Sequence, residues 1–228
     1  MMLKLTWLSH ACWLIETGAH RILLDPFLTD NPAAKTTIED HPEISHLLIS
    51  HGHFDHVADA AAIAHRDDST VVAIFEIAQW FAEKQQVQST LGMNLGGVAK
   101  LPFGTVKMVP ALHSSQLPDG SYGGNPAGFV LEIDGKRIYF ACDTALFSDM
   151  RLYAHRVDVA VLPIGDVFTM GIDDSIEAIK LIEPKCVLPT HYNTWPPIQQ
   201  DAAQWAERVN AQTDAVPVVL GVGESFTV

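Results

Sequence analysis

The sequence predicts an α/β (α+β) fold, with two β-sheets in a single domain over residues 1–228 and helices on the outside. Three observations carry that reading. Strand-like and helical segments alternate coarsely along the chain: β-rich, then β/α, then β-rich, then β/α again. Four metal-capable side chains crowd into His51-Gly52-His53-Phe54-Asp55-His56, between a short apolar run and an Ala-rich helical stretch. His113, Asp143 and His191 each stand where an apolar strand gives way to a loop, the place where α/β folds present their chemistry.

Residues 3–7, 12–16 and 21–25 are rich in bulky apolar side chains and are separated by Ser9-His10-Ala11 and Thr17-Gly18-Ala19-His20, short links that predict an antiparallel start to a sheet. Asp25-Pro26 ends the third strand, because proline cannot continue a ladder. Residues 29–42 are polar and read as a loop or short helical turns, and 46–49 as a buried strand. Residues 57–65 have high helix propensity, 71–74 read as a strand, and 76–84 as a helix with Ile77, Trp80 and Phe81 at spacings of three and four. Residues 92–97 read as a loop, and 98–101 and 105–111 as strands leading to His113. Residues 114–128 make a long Gly/Pro-rich loop of the kind that forms lids and binding loops.

Strands at 129–133 and 136–140 around Asp134-Gly135 predict a hairpin that delivers Asp143. Residues 157–164 and 186–189 read as buried strands, the second delivering His191. A helix over 173–182 is expected to be N-capped by Asp173 or Asp174, a last helix to span 200–210, and strands to follow at 216–220 and 224–227.

A chain of 228 residues, 48% of them apolar, can bury a core without disulfide or metal staples. Its apolar runs fall short of the roughly 18 to 20 residues of a membrane span. The start Met1-Met2-Leu3-Lys4 lacks the pattern of a signal peptide, so a cytoplasmic location is expected. Cys12, Cys142 and Cys186, an odd set without a CxxC pair, are expected to be reduced, buried thiols. The net charge of −13, without a Lys/Arg cluster, argues against a nucleic-acid partner and leaves a small-molecule substrate. A homo-oligomer is left open.

His51 and His53 are two apart, so on an extended loop their side chains face the same way and can grip one ion. Asp55 and His56 fall where the loop becomes a helix and can face a second ion. A carboxylate has two oxygens, which makes Asp143 the natural bridge. The expected shells are then His51, His53, His113 and Asp143 for one ion, and Asp55, His56, His191 and Asp143 for the other.

This ligand order resembles that of the metallo-β-lactamase-fold hydrolases, in full and over nearly the whole chain. The resemblance implies an αββα sandwich of two mixed β-sheets flanked by helices, with a dinuclear site at one edge. Leu8-Ser9-His10-Ala11, Leu24-Asp25-Pro26, Phe168-Thr169-Met170-Gly171 and Pro189-Thr190-His191-Tyr192-Asn193-Thr194-Trp195-Pro196 are similar to an uncharacterised metal-dependent hydrolase subgroup related to ascorbate-phosphate lactonases.

The expected chemistry is hydrolysis of an ester, lactone or phosphodiester of a small metabolite by a metal-bridging hydroxide. Asp55 would orient the nucleophile and carry the proton, with His10 as helper. Asp25 is a candidate partner for a ligand histidine's free N–H, and Tyr192 and Asn193 are candidates for substrate binding. His20, His41, His46, His65 and His155 read as solvated or structural, and Phe168, Met170, Trp195 and Trp205 as core or pocket wall. His and carboxylate donors make two divalent ions the expected cofactor, zinc first, with manganese, iron, cobalt and nickel also suited. The rival classes are an iron-dependent redox enzyme of the same fold, a nuclease or phosphodiesterase on nucleic acid, and a non-catalytic binding protein. Oxygen-reducing relatives carry an acid where this chain has His53 and add a flavin domain absent here.

Overall fold

The computed structural model describes residues 3–228; residues 1 and 2, with which the expected domain and the reading of the N-terminus begin, lie outside the described residues. β1 (Lys4–Ser9), β2 (Cys12–Thr17) and β3 (His20–Leu24) form an antiparallel meander, with Leu5 opposite Ile15 and Trp13 opposite Leu24. β4 (His46–Leu48) adds in parallel. The chain then forms α1 (Phe54–Val57), α2 (Ala60–Asp67), β5 (Thr70–Ile74), α3 (Phe75–Glu83) and β6 (Thr90–Met93), both new strands again parallel.

The second half repeats this plan. β7 (Val98–Leu101), β8 (Gly104–Pro110), β9 (Ala127–Ile133) and β10 (Lys136–Phe140) form an antiparallel meander. After α4 (Met150–Ala154), β11 (Val159–Pro163), α5 (Ile172–Ile182), β12 (Cys186–Thr190), α6 (Ala202–Gln212) and β13 (Val216–Pro217) extend that sheet in parallel. β14 (Ser225–Thr227) returns to pair antiparallel with β1. Two seven-stranded sheets result, ordered β14-β1-β2-β3-β4-β5-β6 and β13-β12-β11-β10-β9-β8-β7.

α2 and α3 pack on the first sheet; α6 packs against β13 and α5, and α5 against α4. This is the αββα layering. β11 is buried at every position, as a strand covered on both faces must be. Between the sheets, Trp13 meets Phe140 edge-on at 6.1 Å, and its indole N–H donates to Thr190 Oγ1 at 3.0 Å. Among the described residues no helix is long and apolar enough to cross a membrane. Cys12 and Cys142 are buried free thiols, as expected, but Cys186 is only partly buried.

Several expectations need correction. The helix expected over 57–65 is two pieces, because the Asp59 carboxylate turns back to accept from Leu28 N at 2.6 Å and Thr29 N at 3.0 Å. β6 was hidden by Gly92, where a Cβ would make a tight 3.1 Å contact with the Phe75 ring. α4 is a single turn with too little periodicity to show in the sequence, and the strand expected over 216–220 is only Val216–Pro217, although Val218 N still donates to Val187 O at 2.9 Å. The cap expected from Asp173 or Asp174 is also wrong. Gly171 occupies that position without a side-chain bond, and both aspartates sit in the first turn, where they favour the helix dipole instead. The true side-chain cap is Asp201, which accepts from Ala203 N and Gln204 N of α6, each at 3.0 Å.

Asp201→Ala is therefore expected to lower stability by about 1 kcal/mol, and Asp174→Ala by no more than about 0.5 kcal/mol. Urea midpoints of the two variants measure this, and the reverse ranking would contradict the assignment.

Candidate metal centre

Seven side chains from both sheets meet at one edge of the sandwich. His51 and His53 lie on the loop after β4, and Asp55 and His56 on α1. His113 follows β8, Asp143 follows β10, and His191 follows β12. Several strand ends here turn with a non-glycine residue in the left-handed region: His10 (φ 50°), Asp25 (46°), Cys142 (55°) and His191 (54°). The close approach of β11 to His191 requires Gly165, since a Cβ there would lie 2.2 Å from the His191 carbonyl oxygen.

One oxygen of Asp143 is the point of convergence. Its Oδ2 lies 3.0 Å from His191 Nε2, 3.4 Å from His56 Nε2, 3.7 Å from His113 Nε2 and 4.0 Å from His51 Nε2. His51 Nε2 faces His53 Nδ1 at 2.9 Å, and His56 Nε2 lies 3.6 Å from Asp55 Oδ2. Donor atoms of His51, His53 and His113 fall within 4.8 Å of one another; so do those of Asp55, His56, His191 and His10, and those of His51, His56 and Asp143. The first group holds the three histidines of one expected shell; the second holds Asp55, His56 and His191 of the other together with His10, which was not expected among the ligands, and Asp143 enters only the third.

These residues fit a metal pair on their own chemistry. His56 Nε2, His191 Nε2 and Asp143 Oδ1 are buried without a hydrogen-bond partner, a costly arrangement for protein alone. The 3.0 Å approach of His191 Nε2 to Asp143 is close but lacks hydrogen-bond alignment. Among the described residues, no lysine or arginine pairs with Asp25, Asp55 or Asp143; their ionic partners are histidines alone.

Around this set, hydrogen bonds fix which nitrogen each histidine turns inward. Asp25 is fully buried and accepts from Ser50 N at 2.8 Å, Ser50 Oγ at 2.6 Å and His56 Nδ1 at 2.9 Å. Because the Ser50 hydroxyl donates to Asp25, its oxygen accepts from His51 Nδ1 at 3.0 Å. Both Nδ1 atoms thus carry the proton, and both Nε2 lone pairs point at the site.

His10 has both nitrogens committed. Nε2 bonds Asp55 Oδ2 at 3.0 Å and Nδ1 bonds Thr194 Oγ1 at 2.8 Å. Burial, followed by the nearness of His191, holds its pKa down to about 4, so it is neutral at pH 7 and donates from Nε2 while Thr194 donates to Nδ1. It lies behind Asp55 and off the cleft wall. Burial and neighbouring imidazoles also push His51, His53 and His113 below the usual histidine value, towards the neutral form that binds metals. Burial opposes charge on His56, but Asp143, Asp25 and Asp55 outweigh it and raise its pKa. Asp55 and Asp143 resist the upward push of burial and stay well below the usual carboxylate range, held there by His56, His10 and His191.

A cleft of about 530 Å³ opens onto these atoms, walled by His53, Asp55, His113, Ser114, Asp143 and His191 on the polar side and by Phe54, Phe168, Trp195 and Pro197 on the other. Phe168 and Trp195 are pocket wall, one of the two roles expected of them, whereas Met170 and Trp205 are core. Tyr192 and Asn193 do not reach this cleft. Tyr192 is buried and stacks on Trp7 at 5.1 Å, and burial pushes its phenol up to about 12. Asn193 is tied to Gln200 through both atoms of its amide.

The long loop is tied down too. Ser115 Oγ accepts from Gly52 N and donates to Gly123 O, Trp80 Nε1 donates to Asp119 Oδ2, and Leu117 is buried; residues 127–128 belong to β9. Ser50 and Thr194 escaped the sequence reading. Their only signal is adjacency, one residue before His51 and three after His191.

The sequence model of the beta-lactamase superfamily domain matches residues 20–192. A UPF0173 metal-dependent hydrolase of Pelotomaculum thermopropionicum is 46% identical over 230 residues, covering 98% of this chain and 99% of that protein. One of Thermus thermophilus is 48% identical over 208 residues, 91% of each. The solved structure of a metallo hydrolase from Ignicoccus hospitalis superposes with a TM-score of 0.90 at 36% identity, over 100% of this chain and 99% of that one.

Asp25→Asn removes the charge and turns one acceptor oxygen into a donor, so Ser50 N, Ser50 Oγ and His56 Nδ1 lose the pair of oxygens that receives them. Metal affinity is expected to fall about 10- to 100-fold, measured by competition with a chromogenic chelator; an unchanged affinity would show that Asp25 only ends β3.

Proposed function

We propose, from the premise that this chain belongs to the UPF0173 metal-dependent hydrolases of the beta-lactamase superfamily, that it cleaves an ester, lactone or phosphodiester bond of a small metabolite at a pair of divalent ions, zinc foremost. The observation that carries this reading is the convergence of four imidazoles on one Asp143 oxygen while the other oxygen stays buried and unpartnered. His51, His53 and His113 would hold one ion, Asp55, His56 and His191 the other, with Asp143 between them. When bound, such a pair supplies hydroxide at neutral pH and a Lewis acid for the oxygen of the scissile bond. The kinship with ascorbate-phosphate lactonases has no support among the relatives above, so lactone cleavage is proposed on chemistry alone. The three free cysteines fit a reducing compartment, and we place the protein in the cytoplasm.

The chain's own residues manage the proton. Asp55 is ionised, largely buried and part of the cleft wall, and its Oδ2 is held by His10. It accepts the proton of the attacking water and returns it to the leaving oxygen as the scissile bond breaks. His10, steadied by Thr194, keeps that carboxylate aimed without touching substrate, which makes it a positioning residue.

Chelation is expected to abolish hydrolysis of generic ester, lactone and phosphodiester substrates, and added zinc or manganese to restore it. Asp55→Ala should lose activity by about 100-fold or more. Thr194→Val should lower kcat by about tenfold with KM little changed. Native iron with oxygen consumption and no hydrolysis would overturn the reading.

A further inference from the structure

We infer that the cleft selects a neutral carbon ester or lactone whose non-reacting part is an aryl or bulky alkyl group, seated against Phe54, Phe168 and Trp195; this narrows the hydrolytic reading above and rests on it. Beyond the candidate metal ligands, the wall of the cleft is apolar apart from Ser114, and no lysine or arginine lines it. A phosphate or carboxylate remote from the reacting bond would have no cation or arginine fork to meet it there. A ring or branched chain would have three aromatic faces.

Those faces are built before any ligand arrives. The Trp195 ring is braced by His10 at 4.9 Å and by Phe27 at 5.9 Å, and Phe54 stands edge-on to the buried Phe27 at 5.8 Å. Yet Phe54 and Phe168 remain 57% and 55% exposed, an apolar surface at the mouth of the site that a ligand can cover.

Phe168 is held there at a conformational cost. It follows Asp166 and Val167, both in the left-handed region (φ 62° and 54°), where a β-branched residue is a true outlier. The turn is closed by Asp166 N to Met170 O and Met170 N to Thr144 O, each at 3.0 Å, one residue from Asp143. Phe54 also lines a second cleft of about 540 Å³, with Val57, Ala61, Trp80 and Phe81 among its walls.

The test uses metal-loaded enzyme and three probes: methyl para-acetoxybenzoate, the anionic para-acetoxybenzoate with the same scissile bond, and bis(para-nitrophenyl) phosphate. Binding of the neutral product, methyl para-hydroxybenzoate, is read separately by saturation-transfer NMR. The neutral ester should be preferred over its anion by at least about tenfold in kcat/KM. Phe168→Ser should raise KM for it by about tenfold and weaken product binding in step. Phe168→Leu should restore both, and Phe168→Lys should shift preference towards the anion.

Equal or better cleavage of the anion or the phosphodiester, or no response of KM and product binding to Phe168→Ser, would overturn the substrate class while leaving hydrolysis standing. Product binding that needs Phe168, with no cleavage of any probe, would sink hydrolysis and keep the apolar wall as the ligand site. Neither binding nor cleavage would overturn both.

Discussion

Three carboxylates, Asp25, Asp55 and Asp143, sit inside this protein with histidines as their only ionic partners among the described residues. Burying an ionised carboxylate is tolerable only when it is paired or coordinates a metal. A neutral imidazole donates one hydrogen bond but no charge. Burial and crowding disfavour charge on His51, His53 and His113, while the carboxylates favour it on His56. A pair of divalent cations would complete the balance, and the layout around the site leaves room for them.

That need explains how the polar groups are divided. Asp25 and Ser50 take the outward nitrogens of His56 and His51, leaving the inward ones free. The His10 carbonyl accepts from Trp7 Nε1, Thr190 Oγ1 and His191 N, so one oxygen ties the β1–β2 turn of the first sheet to the end of β12 in the second. The ligand set spans two sheets that share no strand. With Trp13 Nε1 to Thr190 Oγ1 and Ala127 N to Ser50 O, each at 3.0 Å, this clasp helps to fix the distance between His56 and His191. The left-handed residues at the strand ends place their strain at the same edge, while the parallel strands behind them are buried and regular. Strain gathered beside a rigid core is the pattern expected where geometry serves chemistry.

The sequence was legible where chemistry is local. Six consecutive residues and three strand ends were enough for the candidate ligand set, because each of those residues is a strong donor in a position periodicity could mark. The αββα plan was legible for a related reason: each half of the chain runs an antiparallel meander and then three parallel pairings, which shows as the coarse β, then β/α, alternation.

What failed was anything decided by a distant partner. Tyr192 stands beside His191 in sequence, but the chain turns there with His191 in the left-handed region (φ 54°), and the Tyr192 ring goes to Trp7 at 5.1 Å. Asp59 interrupts a segment of high helix propensity because amides at Leu28 and Thr29 need an acceptor. Thr194 and His10 are 184 residues apart and look unrelated until the fold joins them.

The acidity of the whole chain adds a last constraint on what reaches the site. A net charge of −13 repels anions at long range, over about 8 Å of screening length in physiological salt. A loaded metal pair would attract them at short range. An anionic ligand therefore meets repulsion on approach and attraction only once its charge sits at the reacting centre. A neutral ligand meets neither until its carbonyl reaches the site, and on the way it gains from every aromatic face it covers. The chain's charge and its apolar wall thus discriminate in the same direction, although one is spread over 228 residues and the other rests on three rings. Salt weakens only the first of them.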